Sequence, residues 1–128
     1  MGTCTIRTAQ KGDEALIVAL LRELADYEKL LDRFHITPDA VTRDYFCDTP
    51  LLFCDIAFEG HKPAGLATWH WTYGSFAAKR KIYLADLFVR PEFRGKQYGK
   101  ALIGNLAKRV IVHGGAGIDW EMLDWNKP

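Results

Sequence analysis

The chain has 128 residues, for which one domain with a buried core is the expectation. Its 17 basic and 16 acidic side chains give a formal charge of +1, so no global positive field draws in nucleic acid. At 48% hydrophobic residues it is not a disordered polar chain, and no apolar run approaches the length of a membrane span. The first residues, MGTCTIRTAQKGDEA, lack the apolar stretch of a secretory signal. Cys4, Cys47 and Cys54 are odd in number and have no CxxC spacing. Reduced thiols in a cytoplasmic protein are the expectation.

Thr3 to Thr8 alternates and is β-branched, as a strand requires. Asp13 stands where a helix cap would, and Leu16, Ile17, Leu20, Leu21, Leu24, Tyr27 and Leu31 follow at helical spacing. Thr37-Pro38 opens a second, short helix expected to end near Cys47. Leu51 to Glu59 and Ala64 to Tyr73 read as strands joined by a turn at Glu59-Gly60-His61-Lys62. Gly74-Ser75-Phe76 breaks the second of these, and Lys81 to Val89 is the next strand. Leu102, Ile103, Leu106, Ala107, Val110 and Ile111 mark one face of a helix that Gly114-Gly115 ends. Gly117 to Leu123 is a last strand. This order predicts a single α/β domain over residues 1–128, with a mixed, mostly antiparallel central sheet flanked by helices.

The joint RPEFRGKQYGKALI, Arg90 to Ile103, runs from a strand through a glycine-bearing loop into a helix. The first N–H groups of a helix lack partners inside it and carry partial positive charge, which suits a phosphate. Gly95 and Gly99 allow close backbone approach, and Arg94, Lys96 and Lys100 add full charges. The spacing matches neither GxxxxGK[ST] nor GxGxxG. A plain strand-to-helix turn with solvated basic residues is the bland alternative.

YLADLFVRPEFRGKQYGKALI, with the helix and strand after it, resembles the acetyl-CoA-binding core of the GNAT N-acetyltransferases. LLRELADYEKL, WTY and LDWNKP narrow the resemblance to the diamine (spermidine/spermine) N-acetyltransferase branch. The resemblance implies transfer of an acetyl group from acetyl-CoA to a primary amine of a small diamine, polyamine or amino-acid-like acceptor. It assigns the pyrophosphate of acetyl-CoA to the segment Arg94, Gly95, Lys96, Gln97, Tyr98, Gly99 and Lys100. It assigns the pantetheine arm to Leu87, Phe88 and Val89, and it counts Asn126 with the cofactor-binding residues. The family pattern is Arg-x-x-Gly-x-Gly, and here Gln97 stands where glycine is preferred. If that position needs a positive φ, Gln97 carries strain of order 1–3 kcal/mol, and a remodelled loop with weakened CoA binding is expected.

Acetyl transfer also needs a base. In the resembled branch a glutamate on the strand before the loop serves, and the matching position is Ala85. Asp86 follows it and is the candidate catalytic residue, although successive strand residues face opposite sides and a structural carboxylate is an alternative. Tyr27 and Glu28 match residues lining the polyamine groove, and Asp119 and Glu121 lie on the strand expected to flank the acetyl group. The four histidines lack metal spacing, so no metal is expected. In relatives a helix bearing a catalytic tyrosine and a closing strand follow the last motif. The sequence stops at Pro128, which reads as C-terminal truncation and implies a homodimer covering the exposed sheet edge. Two further readings stand beside the enzyme: a catalytically inactive acyl-CoA-binding or dimer-forming remnant, and an unrelated phosphate-binding module.

Overall fold

The computed structural model describes residues 3–120. Strand β1 is Cys4–Thr8, helix α1 Glu14–Tyr27, helix α2 Pro38–Tyr45, and strand β2 Phe53–Glu59. Strands β3 (Lys62–Gly74) and β4 (Lys79–Val89) form a long hairpin, followed by helix α3 (Tyr98–Val112) and strand β5 (Ile118–Trp120). The sheet order is β1-β2-β3-β4-β5, antiparallel through the first four strands and parallel at β4·β5. The expected α/β class and mixed sheet are therefore present. Helices cover both faces. Ile17, Leu20, Leu24 and Val41 pack on Cys54, Ile56, Leu66 and Phe88 on one face. Leu102, Leu106 and Val110 pack on Ala57, Ala67, Trp69, Ile82 and Leu84 on the other. Strand β3 is thus buried on both faces from Ala64 to Trp69, which explains its nearly continuous apolar run.

Several boundaries differ from the sequence reading, each for a local reason. Thr37 caps α2 as expected, its hydroxyl accepting from the Ala40 N–H at 3.1 Å. Asp13 occupies the cap position of α1 but makes no capping bond. Its carboxylate is held by both Arg7 terminal nitrogens, at 2.7 and 3.0 Å. Helix α2 ends at Tyr45, short of Cys47, and β2 starts at Phe53 rather than Leu51, whose N–H bonds the Asp44 carbonyl in the connecting loop. Leu31 shares the helical spacing but not the helix. Lys29 adopts φ 60°, Leu30 N–H reaches the Ala25 carbonyl and Lys29 N–H reaches that of Asp26. This is a Schellman ending with lysine where glycine is usual, and Leu31 opens a separate 3-10 turn, Leu31–Arg33.

Strand β4 contains a bulge. Thr68 pairs with Asp86 but Trp69 pairs with Leu84, so Ala85 has no partner on β3. Strict alternation would send Leu84 and Asp86 to the same face. The extra residue reverses this: Leu84 packs under α3, whereas Asp86 meets residues of α1.

A polar network lies inside the α3 face. Asp55, fully buried on β2, accepts from Trp69 Nε1 (3.1 Å), Asn105 Nδ2 (3.2 Å) and Arg109 Nη2 (2.7 Å). Arg109 Nη2 also donates to Thr8 Oγ1 at 2.9 Å. Four elements, β1, β2, β3 and α3, are joined through Asp55 and Arg109. Removing one partner of a buried charged set leaves the others unpaired. Asp55→Ala is expected to destabilise the fold by about 3–5 kcal/mol in urea unfolding, and a loss under about 1 kcal/mol would show that the network contributes little.

Candidate active site

The joint after β4 is anchored before it is shaped. Arg90 grips the Glu23 carboxylate with Nε (3.0 Å) and Nη2 (2.8 Å) and donates Nη1 to the Pro63 carbonyl at 3.2 Å. A 3-10 turn, Pro91–Phe93, follows. Gly95 then has φ 82° and Gln97 φ 67°, both left-handed. The strain condition at Gln97 is met. The first bond of α3 onto this cap runs from Ala101 N–H to the Gln97 carbonyl at 3.0 Å. By helix geometry the amides of Tyr98, Gly99 and Lys100 have no acceptor within the helix. A cavity of about 160 Å³, lined by Val89, Phe93, Arg94, Gly95, Gln97, Tyr98 and Gly99, lies beside this start of the helix.

Glu59, at the end of β2, braces the loop from outside. It accepts from Lys96 Nζ at 3.0 Å and from the Tyr98 hydroxyl at 2.5 Å. The Tyr98 bond, then Lys96, holds the Glu59 carboxyl below the usual range. The same bond pushes the Tyr98 phenol up to about 12. Lys96 is thus engaged with the protein. So is Arg94, whose Nε donates to the Val89 carbonyl at 2.9 Å while its guanidinium sits 4.6 Å from the Tyr27 ring centroid. Lys100 forms no ion pair among the described residues.

Beside this loop strand β4 has one edge without a strand partner among the described residues. Among the described residues β5 pairs only with Ile82, Tyr83 and Leu84. The Phe88 carbonyl faces β3, where a Cβ on Gly65 would lie 2.3 Å from its oxygen. The Val89 carbonyl faces the other way, towards Arg94. Alternation then gives the open edge the peptide groups of Leu87 and Val89. Of the three residues expected to hold an extended arm, those two turn their backbone to this edge. Phe88 pairs its backbone with β3 and buries its ring under α1.

On the α1 side of the same strand is a second cavity, of about 200 Å³. Leu21, Leu24, Leu30, Phe34 and Ile36 supply apolar walls, and Glu28, Arg33 and Asp86 supply charge. The Schellman ending at Lys29 turns the chain immediately after Glu28, and the bulge at Ala85 brings Asp86 up from the sheet. Burial raises the Asp86 carboxyl, against the bond that Thr68 Oγ1 donates to it at 2.6 Å. Burial and then the Asp86 charge raise Glu28. Two carboxyl groups predicted from separate motifs therefore share one pocket. Tyr27 does not line it; its ring is 44% exposed and lies against Arg94. Asp119 is held by Lys81 Nζ at 2.8 Å, also outside the pocket. Glu121 and Asn126 lie outside the described residues, as does the rest of the last predicted strand beyond Trp120. The described residues contain no group of three or more His, Cys, Asp or Glu placed to hold a metal.

Thr68, Arg33 and Glu59 escaped the sequence reading. Each is ordinary for its element, and only the fold brings it to the site.

A mixed sheet whose fourth strand runs into a left-handed amide loop capping the next helix is the scaffold of an acyltransferase. The chain belongs to the acetyltransferase (GNAT) family, whose model matches residues 17–128. It is similar to the thialysine N-epsilon-acetyltransferase of Bos taurus, at 35% identity over 99% of this chain and 79% of the relative. It is also similar to the spermidine/spermine N(1)-acetyltransferase-like protein 1 of Homo sapiens, at 32% identity over 95% of this chain and 18% of that protein. The integron cassette protein VCH_CASS6 from the mobile metagenome of V. cholerae has the same fold, with a TM-score of 0.78 at 24% identity over 96% of this chain and 77% of that one.

The left-handed cap predicts a substitution order at Gln97. Glycine removes a cost of about 1–2 kcal/mol but adds about 0.5–1 kcal/mol of chain entropy, so Gln97→Gly should raise the thermal midpoint slightly. Gln97→Val should lower it, because a branched Cβ tolerates this φ poorly. The reverse order in calorimetry would refute the strained cap. A second expectation concerns Asp86. A raised carboxyl pKa contributes stability in acid that is lost as pH rises through the folded value. Asp86→Asn should therefore be more stable than the parent near pH 7, with the difference shrinking towards about pH 3. Thermal midpoints across that range test it; a constant difference would refute the buried-charge account.

Proposed function

We propose that the chain transfers the acetyl group of acetyl-CoA to a small primary amine, with Asp86 as general base and Glu28 holding a second cationic group. The convergence of Glu28 and Asp86 on one pocket beside the open edge of β4 carries this reading. An alkylammonium has a pKa of roughly 10, so about one molecule in a thousand is neutral at pH 7. Asp86, with its carboxyl raised by burial, is suited to take that proton. The nitrogen lone pair then forms a C–N bond to the thioester carbonyl carbon and the C–S bond breaks. The second proton passes from the nitrogen to the departing sulfur, which leaves as a thiol. The amides after Gln97 would hold the donor's pyrophosphate, and the Leu87 and Val89 peptide groups its pantetheine arm.

In the same reading the protein is cytoplasmic and forms a homodimer. Tyr73, Phe76, Ile111, Val112 and Trp120 are large apolar side chains left exposed, which supports a second copy. No described helix is long and apolar enough to cross a membrane. One observation favours an acyl-CoA-binding chain without turnover instead: the exposed bulge residue is Ala85, which carries no acid.

The deciding experiment incubates the chain with acetyl-CoA and a panel of amines, counting acetylated products by mass spectrometry. Product formation is expected, with kcat/KM rising with pH as Asp86 loses its proton, through an apparent pKa above the ordinary carboxylate range. Asp86→Asn should lower kcat by about 10²–10⁴-fold with CoA binding intact. CoA binding without product from any amine would select the inactive reading.

A further inference from the structure

We propose that Arg33 is the specificity-determining residue of the Glu28–Asp86 pocket, selecting an acceptor that carries an α-carboxylate beside its amines. The acceptor class is then a diamino acid rather than a polyamine. This assignment rests on the reading of the cavity as the amine site.

Arg33 ends the 3-10 turn after α1 and lines the cavity with Glu28 and Asp86, yet it forms an ion pair with neither. The other arginines have partners. Arg7, Arg43, Arg90 and Arg109 pair with carboxylates. Arg94 meets the Val89 carbonyl, and Arg22 and Arg80 lie over the Phe34 and Trp71 rings. Among the described residues Arg33 alone of the arginines has no such contact, and it is exposed at the cavity. A guanidinium presents a planar fork of donors that matches a carboxylate.

The arrangement of charge matches one kind of ligand. Asp86 comes from the sheet, whereas Glu28 and Arg33 both come from the segment that closes α1. An α-amino acid head has an ammonium and a carboxylate on one carbon, and the opposite charges of Glu28 and Arg33 are its complement. The distal amine then falls to Asp86. Two carboxylates and one guanidinium leave one net negative charge in the pocket, equal and opposite to a diamino acid with both amines protonated. A diamine or a longer polyamine brings more positive charge and nothing for Arg33 to bind.

The test uses pairs that differ only in the α-carboxylate: ornithine with putrescine, and lysine with cadaverine. With acetyl-CoA and the full chain, kcat/KM should favour each amino acid over its diamine by about tenfold or more. Arg33→Gln should raise KM for the amino acids by about 10–100-fold, leaving kcat and the diamine KM nearly unchanged. Arg33→Lys should keep part of the preference. A parent chain that prefers the diamines, or an Arg33→Gln variant that weakens both members of a pair equally, would overturn the assignment. Calorimetric binding of each pair in the presence of CoA separates this inference from the transferase reading. Preferential ornithine binding without acetylation keeps Arg33's role and sinks the catalytic one. Equal binding, or none, sinks the role of Arg33.

Discussion

Strand β4 carries one residue more than the stretch of β3 it pairs with, and that residue is Ala85. The two strands stay hydrogen-bonded on either side of it, so the pleat is reset at Asp86. Without the bulge, Asp86 would follow Ile82 and Leu84 into the apolar layer under α3. An unpaired carboxylate there would be costly. With it, Asp86 emerges opposite Thr68, beneath the end of α1, and shares a cavity with Glu28. Bulges re-aim a side chain and end regular pairing at the same place. On the far side of the bulge the Leu87 and Val89 peptide groups face away from β3 and have no strand partner among the described residues.

Backbone strain marks both borders of this region. Lys29 and Gln97 are non-glycine residues held at positive φ, one directly after Glu28 and the other directly before α3. Such conformations persist only where the surroundings over-determine them. At Lys29 the surroundings are the paired carbonyls of a Schellman ending. At Gln97 they are the Glu59 contacts to Lys96 and Tyr98 on either side of it. The borders are also tied to each other. Arg90 binds Glu23, and Arg94 lies over Tyr27, so the end of α1 and the amide loop are joined by two arginines. The end of α1 and the loop before α3 are mechanically one unit.

The opposite face of the sheet supplies the rigidity this arrangement needs. Asp55 gathers Trp69, Asn105 and Arg109, fixing α3 along its length against β1, β2 and β3. The direction of α3 sets where its first amides point, so the buried network bears on the loop from a distance. The two faces differ: apolar packing and the Asp55 charge set lie on the α3 side, and carboxyl groups raised by burial lie on the α1 side.

The family resemblance, not periodicity, marked Gln97 as anomalous; periodicity and turn residues were enough for the elements, the hairpin of the central strands and the strand–loop–helix joint. Those signals are local: alternation, the 3.6-residue stripe, and turn residues at fixed offsets. Resemblance to known acetyltransferases pointed separately to Glu28 and Asp86, without showing that they meet. The tertiary structure decided what depends on two distant segments at once. It placed Asp86 on the α1 face through an extra residue that strand alternation does not reveal. It turned Tyr27 and Arg94 towards each other and tied Asp119 to Lys81. It brought Arg33, which has no pattern of its own, to the Glu28–Asp86 pocket. A side chain's facing follows from local geometry only while the pairing is regular, and this site is built where the pairing breaks.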